Sequence, residues 1–253
     1  MGGTTGQSLT SVETAFTIVG RLAEVGWTTP TELADTLEMP TSTAHVYLKT
    51  MAEAGYLARA DGRYRLSLRF LCHGAHLRRE FEIYEVAGPE LASLAEATGE
   101  VASLGVEEGG ERVLLDKVEG ENAVYDKAPT GEFTRMHWTS LGKAILAHLP
   151  EERVHAIVDD HGLPEATERT ITDRDELFAE LESIRESGYA IEDEERRENI
   201  RAVAVPIFTD GAVAGSISVS GPVSRFSDAR IGTELVAALE GRANVIELRL
   251  RHY

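Results

Sequence analysis

Two short segments near the N-terminus carry apolar residues at helical spacing. The first helix is predicted to start at Pro30, because Thr29 and Glu32 have the spacing of a capping box and proline is favoured at the first helical position. Met39-Pro40 ends this helix, and Gly55 has the position of a left-handed cap after a second helix. The inward-facing residues of the two helices are Leu33, Ala34, Leu37, Ala44, Leu48, Met51 and Ala52.

The next segment, residues 56–66, alternates as a β-hairpin with Asp61-Gly62 as its turn. Tyr64 and Leu66 point toward the helices, and Arg63 and Arg65 point the other way, with Arg59 on the partner strand, so the hairpin is basic. Two helices followed by a basic hairpin are typical of a winged helix-turn-helix, which predicts DNA binding. A protein-interaction module with solvated hydroxyls and surface arginines is the alternative. The predicted DNA contacts are Thr41, Ser42, Thr43, His45, Val46, Lys49, Arg59, Arg63 and Arg65.

A nearly continuous helical pattern covers residues 66–100, and we expect Pro89 to interrupt it and Gly99 to close it. It is a candidate linker between domains. We expect Cys72 to be a small buried apolar residue rather than a nucleophile. The apolar positions that recur at helical spacing are Leu68, Leu71, Cys72 and Ala75.

Beyond residue 100 the pattern changes to strands with flanking helices, which predicts an α+β sheet domain. Strands are predicted at 101–108, 111–120, 122–128, 202–208 and 212–221, the last two joined by a turn at 209–211. Helices are predicted at 139–149 with Thr139 or Ser140 as N-cap, at 151–162, at 173–188 with Thr172 as cap, and from Ser227 or Asp228 onward. The last helix is expected to pack through Ile231, Leu235, Ala238, Val245 and Leu248.

The chain is strongly acidic, with 25 Lys and Arg against 43 Asp and Glu and a net charge of −18. Residues 1–79 hold 8 basic and 7 acidic side chains, so the acidic excess lies in the remainder. Abundant surface carboxylates with only four lysines are the composition expected in concentrated salt, where charges are screened. We therefore predict a halophilic host, the alternative being an acidic domain that is merely soluble.

The single cysteine excludes a disulfide framework and favours a reducing cytoplasm. No apolar run approaches the ~20 residues that span a bilayer, so no membrane partner is expected. Residues 1–7 are polar and expected to be disordered, and they do not form a signal peptide.

The chain from Leu9 onward resembles the IclR family of transcriptional regulators, through the segments SVETAFTIVGRLAE, TELADTLEMPTSTAHVYLKTMAEAGYL, GRYRLSLRFLCHG, TSLGKAILAHLP and ISVSGPVSRF. The resemblance implies a winged helix-turn-helix at residues 8–67, a linker helix at 68–82 that contributes to dimerisation, and a GAF-like effector domain at 83–253. The family usually has basic residues where Thr41 and Val46 stand, so phosphate contact by the recognition helix is expected to be weaker here.

Alternation places Ser216, Ser218 and Ser220 on one face of a strand, where buried hydroxyls need partners. In the family, positions matching Ser218, Ser220 and Glu192 contribute to the effector pocket, and a frequent cysteine corresponds to Ala202. The helix start after His137 is expected to supply backbone N–H donors suited to a carboxylate. The predicted effector site is Ser140, Glu192, Ala202, Ser218 and Ser220.

These features predict a DNA-binding regulator, a homodimer or dimer of dimers, whose operator affinity responds to a small polar or carboxylated metabolite. A domain that acts only as a dimerisation scaffold is one alternative. A metal-dependent enzyme, or a zinc sensor using Glu192 and a histidine, is another. The candidate acid–base residues are His137, His155, His161, Asp159 and Asp160. Their spacing matches no metal-ligand motif, and no phosphate loop or serine elbow is found, so we expect no enzyme, no metal and no cofactor.

Overall fold

The computed structural model describes residues 8–124 and 128–252. The chain divides into two compact units, with the boundary in sequence between Leu77 and Arg78. The predicted disorder of residues 1–7 lies outside the described residues.

The N-terminal unit has three helices and a hairpin: α1 Thr10–Val25, α2 Pro30–Thr36, α3 Thr41–Glu53, β1 Leu57–Ala60 and β2 Arg63–Leu66. The predicted start at Pro30 is confirmed, because the side chains of Thr29 and Glu32 each bond the other's backbone N–H. Gly55 takes the predicted positive φ, of 85°. Apolar residues from every element form one core: Ile18, Leu22, Leu33, Ala34, Ala44, Leu48, Leu57 and Tyr64.

The hairpin turns at Asp61 and Gly62, which both have positive φ as predicted. Tyr64 is 1% exposed, and its backbone N–H and carbonyl both bond Thr28, which adds the segment after α1 to the hairpin. The register also settles the face on which Arg59 lies, which the sequence left open. Arg59 pairs with Tyr64, and directly paired residues point to the same side of an antiparallel ladder. Arg59 therefore lies on the face opposite Arg63 and Arg65.

Two helices follow, α4 Arg69–Arg79 and α5 Glu82–Thr98. The helical pattern breaks at residues 80–81, not at Pro89, so that expectation is wrong. Pro89 lies on the exposed face of α5 between the buried residues Ala87 and Leu91, whose packing outweighs one missing hydrogen bond. Gly99 closes α5 in the left-handed conformation, as predicted.

Cys72 is exposed, which contradicts the expectation that it is buried. The physical reason is that α4 has no buried residue, so nothing in the described part of the chain covers the stripe that contains Cys72. Its apolar side chains Leu71 and Leu77 are 68% and 55% exposed.

The C-terminal unit is built on six antiparallel strands in the order β5-β4-β3-β8-β7-β6. The strands are β3 Val101–Glu108, β4 Glu111–Glu119, β5 Phe133–Arg135, β6 Ala190–Asp193, β7 Ile200–Thr209 and β8 Ala212–Pro222. The helices are α6 Ser140–Leu146, α7 Glu151–His161, α8 Arg174–Ser187, α9 Asp228–Arg230, a π-helical turn Ile231–Leu235 and α10 Val236–Leu250.

Strand alternation sends two different sets of side chains to the two faces of this sheet. One face packs on α5 and α10 through residues such as Ile217 and Val219. The other face packs on α6, α7 and α8 through Leu114 and Ala204. On β8 this second face carries the serines, as predicted, and Ser216 Oγ donates to the Leu141 carbonyl at 2.9 Å. The α+β prediction is confirmed.

Several local predictions differ from the structure. Residues 122–124 and 128 are not strand, since the chain turns there with Ala123 N–H bonding the Gly120 carbonyl; the rest of that predicted strand lies outside the described residues. The short strands β5 and β6 were not predicted. Asp173, not Thr172, caps α8, because its carboxylate accepts from Glu176 N–H. Leu248 is 57% exposed and does not pack. The buried positions of α10 are Val236, Leu239, Ala243 and Ile246.

Within residues 8–124 and 128–252, none of the helices is both long enough and apolar enough to cross a membrane.

Candidate functional site

Helix α3 has one buried face and one exposed face. Ala44 and Leu48 are fully buried and fix the helix on the N-terminal core. Val46 is 62% exposed, and Lys49 lies 3.8 Å from Glu53 in a solvent-exposed ion pair. The predicted contact residues on this helix are all exposed: Thr41, Ser42, Thr43, His45, Val46 and Lys49. The face is therefore free to enter a groove, with hydroxyl, imidazole and methyl groups able to meet base edges.

The hairpin arginines are organised by Trp27, which the sequence analysis did not single out. The Arg65 guanidinium lies 5.2 Å from the centre of the Trp27 ring. Arg63 donates to the Trp27 carbonyl at 3.3 Å. Arg59 instead stacks over Tyr64 at 5.6 Å. Arg63 and Arg65 thus form the basic wing, and Arg59 lies on its other side.

The predicted effector residues come together through strand register in the C-terminal unit. Glu192 on β6 pairs with Ala202 on β7, and Ala202 pairs with Ser220 on β8. Ser218 lies two residues along β8, on the same face. Because paired residues share a face, these side chains form one patch under the start of α6.

This patch lines a cavity of about 50 Å³, and so does Ser140. A second cavity of about 180 Å³ shares Glu192, Arg196, Ile200 and Ser220 with the first. All five residues of the predicted effector site are thus brought together. The first cavity is also lined by polar residues that the sequence analysis missed: Ser103, Arg112, Lys117, Thr139 and Arg196.

Glu192 is a buried carboxylate with few compensating contacts. Ser140 N–H donates to its Oε2 across a long 3.4 Å. Burial raises the pKa of Glu192 to about 7; Arg196 opposes this rise, and the Glu195 carboxylate adds to it. Burial therefore favours the protonated carboxyl, which donates a hydrogen bond as well as accepting one. The Ser140 N–H, expected to meet a ligand carboxylate, is directed at this side chain instead.

Arg112 on β4 faces the same cavity and is 2% exposed. Its Nη2 lies 3.4 Å from Glu132 Oε2, while Nε and Nη1 have no hydrogen-bond partner among the described residues. Burial, together with repulsion from Arg196, lowers the pKa of Arg112 to about 10, against the attraction of Glu132 and Glu192. The guanidinium thus stays charged at neutral pH with donors unused.

A buried lysine with two carboxylate partners lies next to the cavity. Lys143 on α6 is 1% exposed, and its Nζ lies 2.6 Å from Glu195 and 3.0 Å from Glu180. This lysine ties α6 to α8 and to the loop between β6 and β7. In that loop Glu194 and Asn199 have positive φ of 62° and 63°. Asparagine tolerates this conformation, whereas for Glu194 it costs roughly 1–2 kcal/mol. The loop carries Arg196 into the site.

The histidines lie apart from this cavity. His137 is buried, its Nε2 lies 3.1 Å from the Pro164 carbonyl, and burial lowers its pKa. His155 and His161 bond Arg174 and Arg135 respectively. No three His, Cys, Asp or Glu side chains in the described part of the chain are grouped as metal ligands would be.

Comparison with known proteins relates both units to one family. The IclR helix-turn-helix domain matches residues 11–61, and the family description "Bacterial transcriptional regulator IclR C-terminal" matches residues 75–248. The probable HTH-type transcriptional regulator ArcR of Halobacterium salinarum is 31% identical over 96% of this chain and 94% of its own length.

Two solved structures show the same fold over nearly the whole chain. The crystal structure of the Thermotoga maritima IclR has a TM-score of 0.82 and 31% identity, covering 96% of this chain and 99% of that one. An IclR homologue from Microbacterium hydrocarbonoxydans, complexed with 4-hydroxybenzoate, has a TM-score of 0.79 and 25% identity, covering 94% and 100%.

Proposed function

Because this chain belongs to the IclR family of transcriptional regulators, we propose that it binds a specific DNA operator and that a small polar or carboxylated metabolite in the C-terminal cavity changes its operator affinity. The observation that carries the proposal is the pairing of an exposed, polar α3 face with a separate buried polar cavity. DNA binding requires an exposed recognition helix, and regulation by an effector requires a separate cavity for a ligand.

On the DNA side, α3 enters the major groove and the wing contacts the backbone. Base contacts come from the outer face of α3, and phosphate contacts come from Lys49 and the hairpin. The residues are those predicted from sequence: Thr41, Ser42, Thr43, His45, Val46, Lys49, Arg59, Arg63 and Arg65. Arg63 and Arg65 are the principal wing contacts, since they share one face.

On the effector side, Ser218, Ser220 and Glu192 supply hydrogen bonds, Ala202 supplies an apolar wall, and the start of α6 at Ser140 closes the cavity. The 4-hydroxybenzoate in one homologue supports a small-molecule ligand for this fold. Among the described residues, no histidine lines either of the two cavities that Glu192 lines, so a zinc sensor that uses Glu192 and a histidine has no support there.

The working form is a homodimer or a dimer of dimers, because the described residues of one chain contain a single recognition helix, α3. A DNA partner places its action in the cytoplasm. The halophilic host stays a prediction, to which the Halobacterium salinarum relative gives a weak indication.

The test is selection of duplexes from a random-sequence pool with the purified protein, followed by footprinting at several salt concentrations. The proposal predicts an inverted repeat whose half-site centres lie a multiple of about 34–36 Å apart. Failure to enrich any sequence, or protection of a single asymmetric half-site by a monomer, contradicts it.

A further inference from the structure

Arg112 is a fully buried cation whose hydrogen bonds are incomplete. Arginine is almost never buried this far without pairing, because an isolated charge loses its hydration. Here the one contact to a carboxylate, Glu132, spans 3.4 Å, and Nε and Nη1 lack partners within the described residues. These unused donors belong to a side chain that lines the inner cavity of about 50 Å³.

Glu132 does not fully compensate the charge of Arg112, because its carboxylate lies closer to Arg196. Arg196 Nη2 lies 2.9 Å and 2.8 Å from the two Glu132 oxygens. Two guanidinium groups therefore share one carboxylate. The nearby Glu192 adds a full negative charge only when it is ionised, and burial opposes that ionisation. The inner cavity consequently has an excess of positive charge on its Arg112 side.

The inner cavity is large enough for more than a single water. One water needs roughly 10–15 Å³ measured in this way, against about 50 Å³ here, and the adjoining cavity adds about 180 Å³. The cations Arg112 and Lys117 lie on the β4 wall, with Arg196 entering from the β6–β7 loop. The hydroxyls of Ser218 and Ser220 lie on the β8 wall, and Glu192 lies on the β6 wall. A ligand with one anionic end and one neutral polar or apolar end matches this division.

We infer that Arg112 is the residue that selects for a carboxylate in this cavity, with the ligand carboxylate against Arg112 and the other end of the ligand toward Ser218, Ser220 and Glu192. This inference rests on the proposed function and assigns a specificity-determining residue of the same cavity. The carboxylate completes the Arg112 hydrogen bonds, and charge-assisted bonds of this kind are the strong ones. The reverse orientation leaves the Arg112 donors without a carboxylate partner, which is unfavourable for a buried charge.

The test is calorimetric titration of the full-length protein with matched acids and amides: propionate and propionamide, 4-hydroxybenzoate and 4-hydroxybenzamide. Each pair differs little in shape and by one negative charge. At least one acid is expected to bind, and its amide to bind about 10- to 100-fold more weakly. Ordered water, the other occupant able to satisfy Arg112, predicts no acid binding.

Variants then assign the effect to Arg112. Arg112→Gln is expected to remove the preference for acid over amide, and Arg112→Lys to recover part of it, because lysine keeps the charge without the planar fork. Arg135→Gln is the matched control, since Arg135 bonds Glu111 at 3.0 Å and lines neither of these two cavities. It should bind like the unmodified protein.

Three results overturn the inference: no acid binds, acid and amide bind equally, or Arg112→Gln keeps the original acid affinity. The acid–amide comparison on the unmodified protein stands even where a variant does not fold. Binding of the selected duplex is measured on the same preparation. If the duplex binds and the acids do not, the carboxylate assignment fails while DNA recognition stands; if the duplex does not bind, the proposed function itself fails.

Discussion

Ser140 and Glu192, 52 residues apart in sequence, meet at the cavity, where the Ser140 N–H donates to the Glu192 carboxylate across 3.4 Å. The contact joins the first residue of α6 to strand β6. Behind it, the Lys143–Glu195 pair joins the same helix to the loop that follows β6. A ligand that displaces or protonates Glu192 therefore acts on the packing of α6.

Replacing Glu192 by Gln should stabilise the protein above pH 7. Burial holds the folded-state pKa near 7, against an ordinary value of 4.5. Between these values the folded state binds more protons than the unfolded state, so this group lowers the free energy of unfolding as pH rises. The gain from Glu192→Gln should thus grow from near zero at pH 4.5 to at most about 3 kcal/mol at pH 8.

Urea unfolding at pH 5 and pH 8 measures this gain. Glu182→Gln on the exposed face of α8 is the control and should be flat across the same range. A gain for Glu192→Gln that is constant or shrinks with pH would show that the carboxylate is not penalised by burial.

Removing the Ser220 hydroxyl should weaken effector binding by about 0.5–1.5 kcal/mol, the net value of one hydrogen bond. The measurement is calorimetric titration of Ser220→Ala with whichever probe acid the unmodified protein binds. Ser224→Ala, on the exposed turn after β8, is the control. If Ser220→Ala binds the acid with an unchanged dissociation constant, the ligand does not contact the Ser220 hydroxyl and the proposed position of the ligand is wrong.

The wing and the recognition helix should contribute differently to DNA binding. Arg63→Ala and Arg65→Ala are expected to weaken binding to all duplexes similarly and to lower the salt slope by about one unit each, because their proposed contacts are with phosphates. Ser42→Ala and His45→Ala should instead relax sequence preference.

Anisotropy titrations of a selected and a scrambled duplex at several salt concentrations distinguish the two effects. Arg251→Ala, an exposed arginine at the end of the chain, controls for loss of one positive charge. Equal loss of specificity in both groups of variants argues against this division.

Gly142→Ala should destabilise the C-terminal unit by about 1–3 kcal/mol, the usual cost of overpacking. A Cβ at this position would lie against the Met136 backbone, 2.6 Å from its Cα, where no flexible side chain can give way. Gly88→Ala in α5 has open space around it and should gain roughly 0.5–1 kcal/mol. Denaturant unfolding of both variants checks the contrast, and equal effects would contradict the close approach of α6.

Helices α2 and α3 and the hairpin of the N-terminal unit could be predicted from sequence because their signals are local, whereas α1 was not predicted. The Thr29–Glu32 capping box and the Asp61-Gly62 turn each act within a few residues. The face of Arg59 was not predicted because it depends on pairing register, which the strand sequence alone leaves open. Cys72 was predicted to be buried, and this was wrong. Helical spacing shows which residues share one face of a helix, but not whether another part of the protein covers that face.

The cavity was only partly predictable. Glu192, Ser218 and Ser220 were found through the family resemblance, and their common face follows from strand period. Arg112 was missed, although alternation on β4 places it on the same face as the buried Leu114. A charged residue at an inward strand position is the signal that was available. Arg196 has no such signal, since a loop with non-local contacts carries it into the site.

The most direct test of the account is the dissociation constant of the selected duplex with and without a saturating probe acid. If the C-terminal cavity controls DNA binding, the constant should change by about tenfold or more for the unmodified protein and for Arg135→Gln, and should not respond for Arg112→Gln. A duplex affinity that is unchanged when calorimetry shows the cavity to be saturated would contradict the account and make the C-terminal unit a dimerisation scaffold.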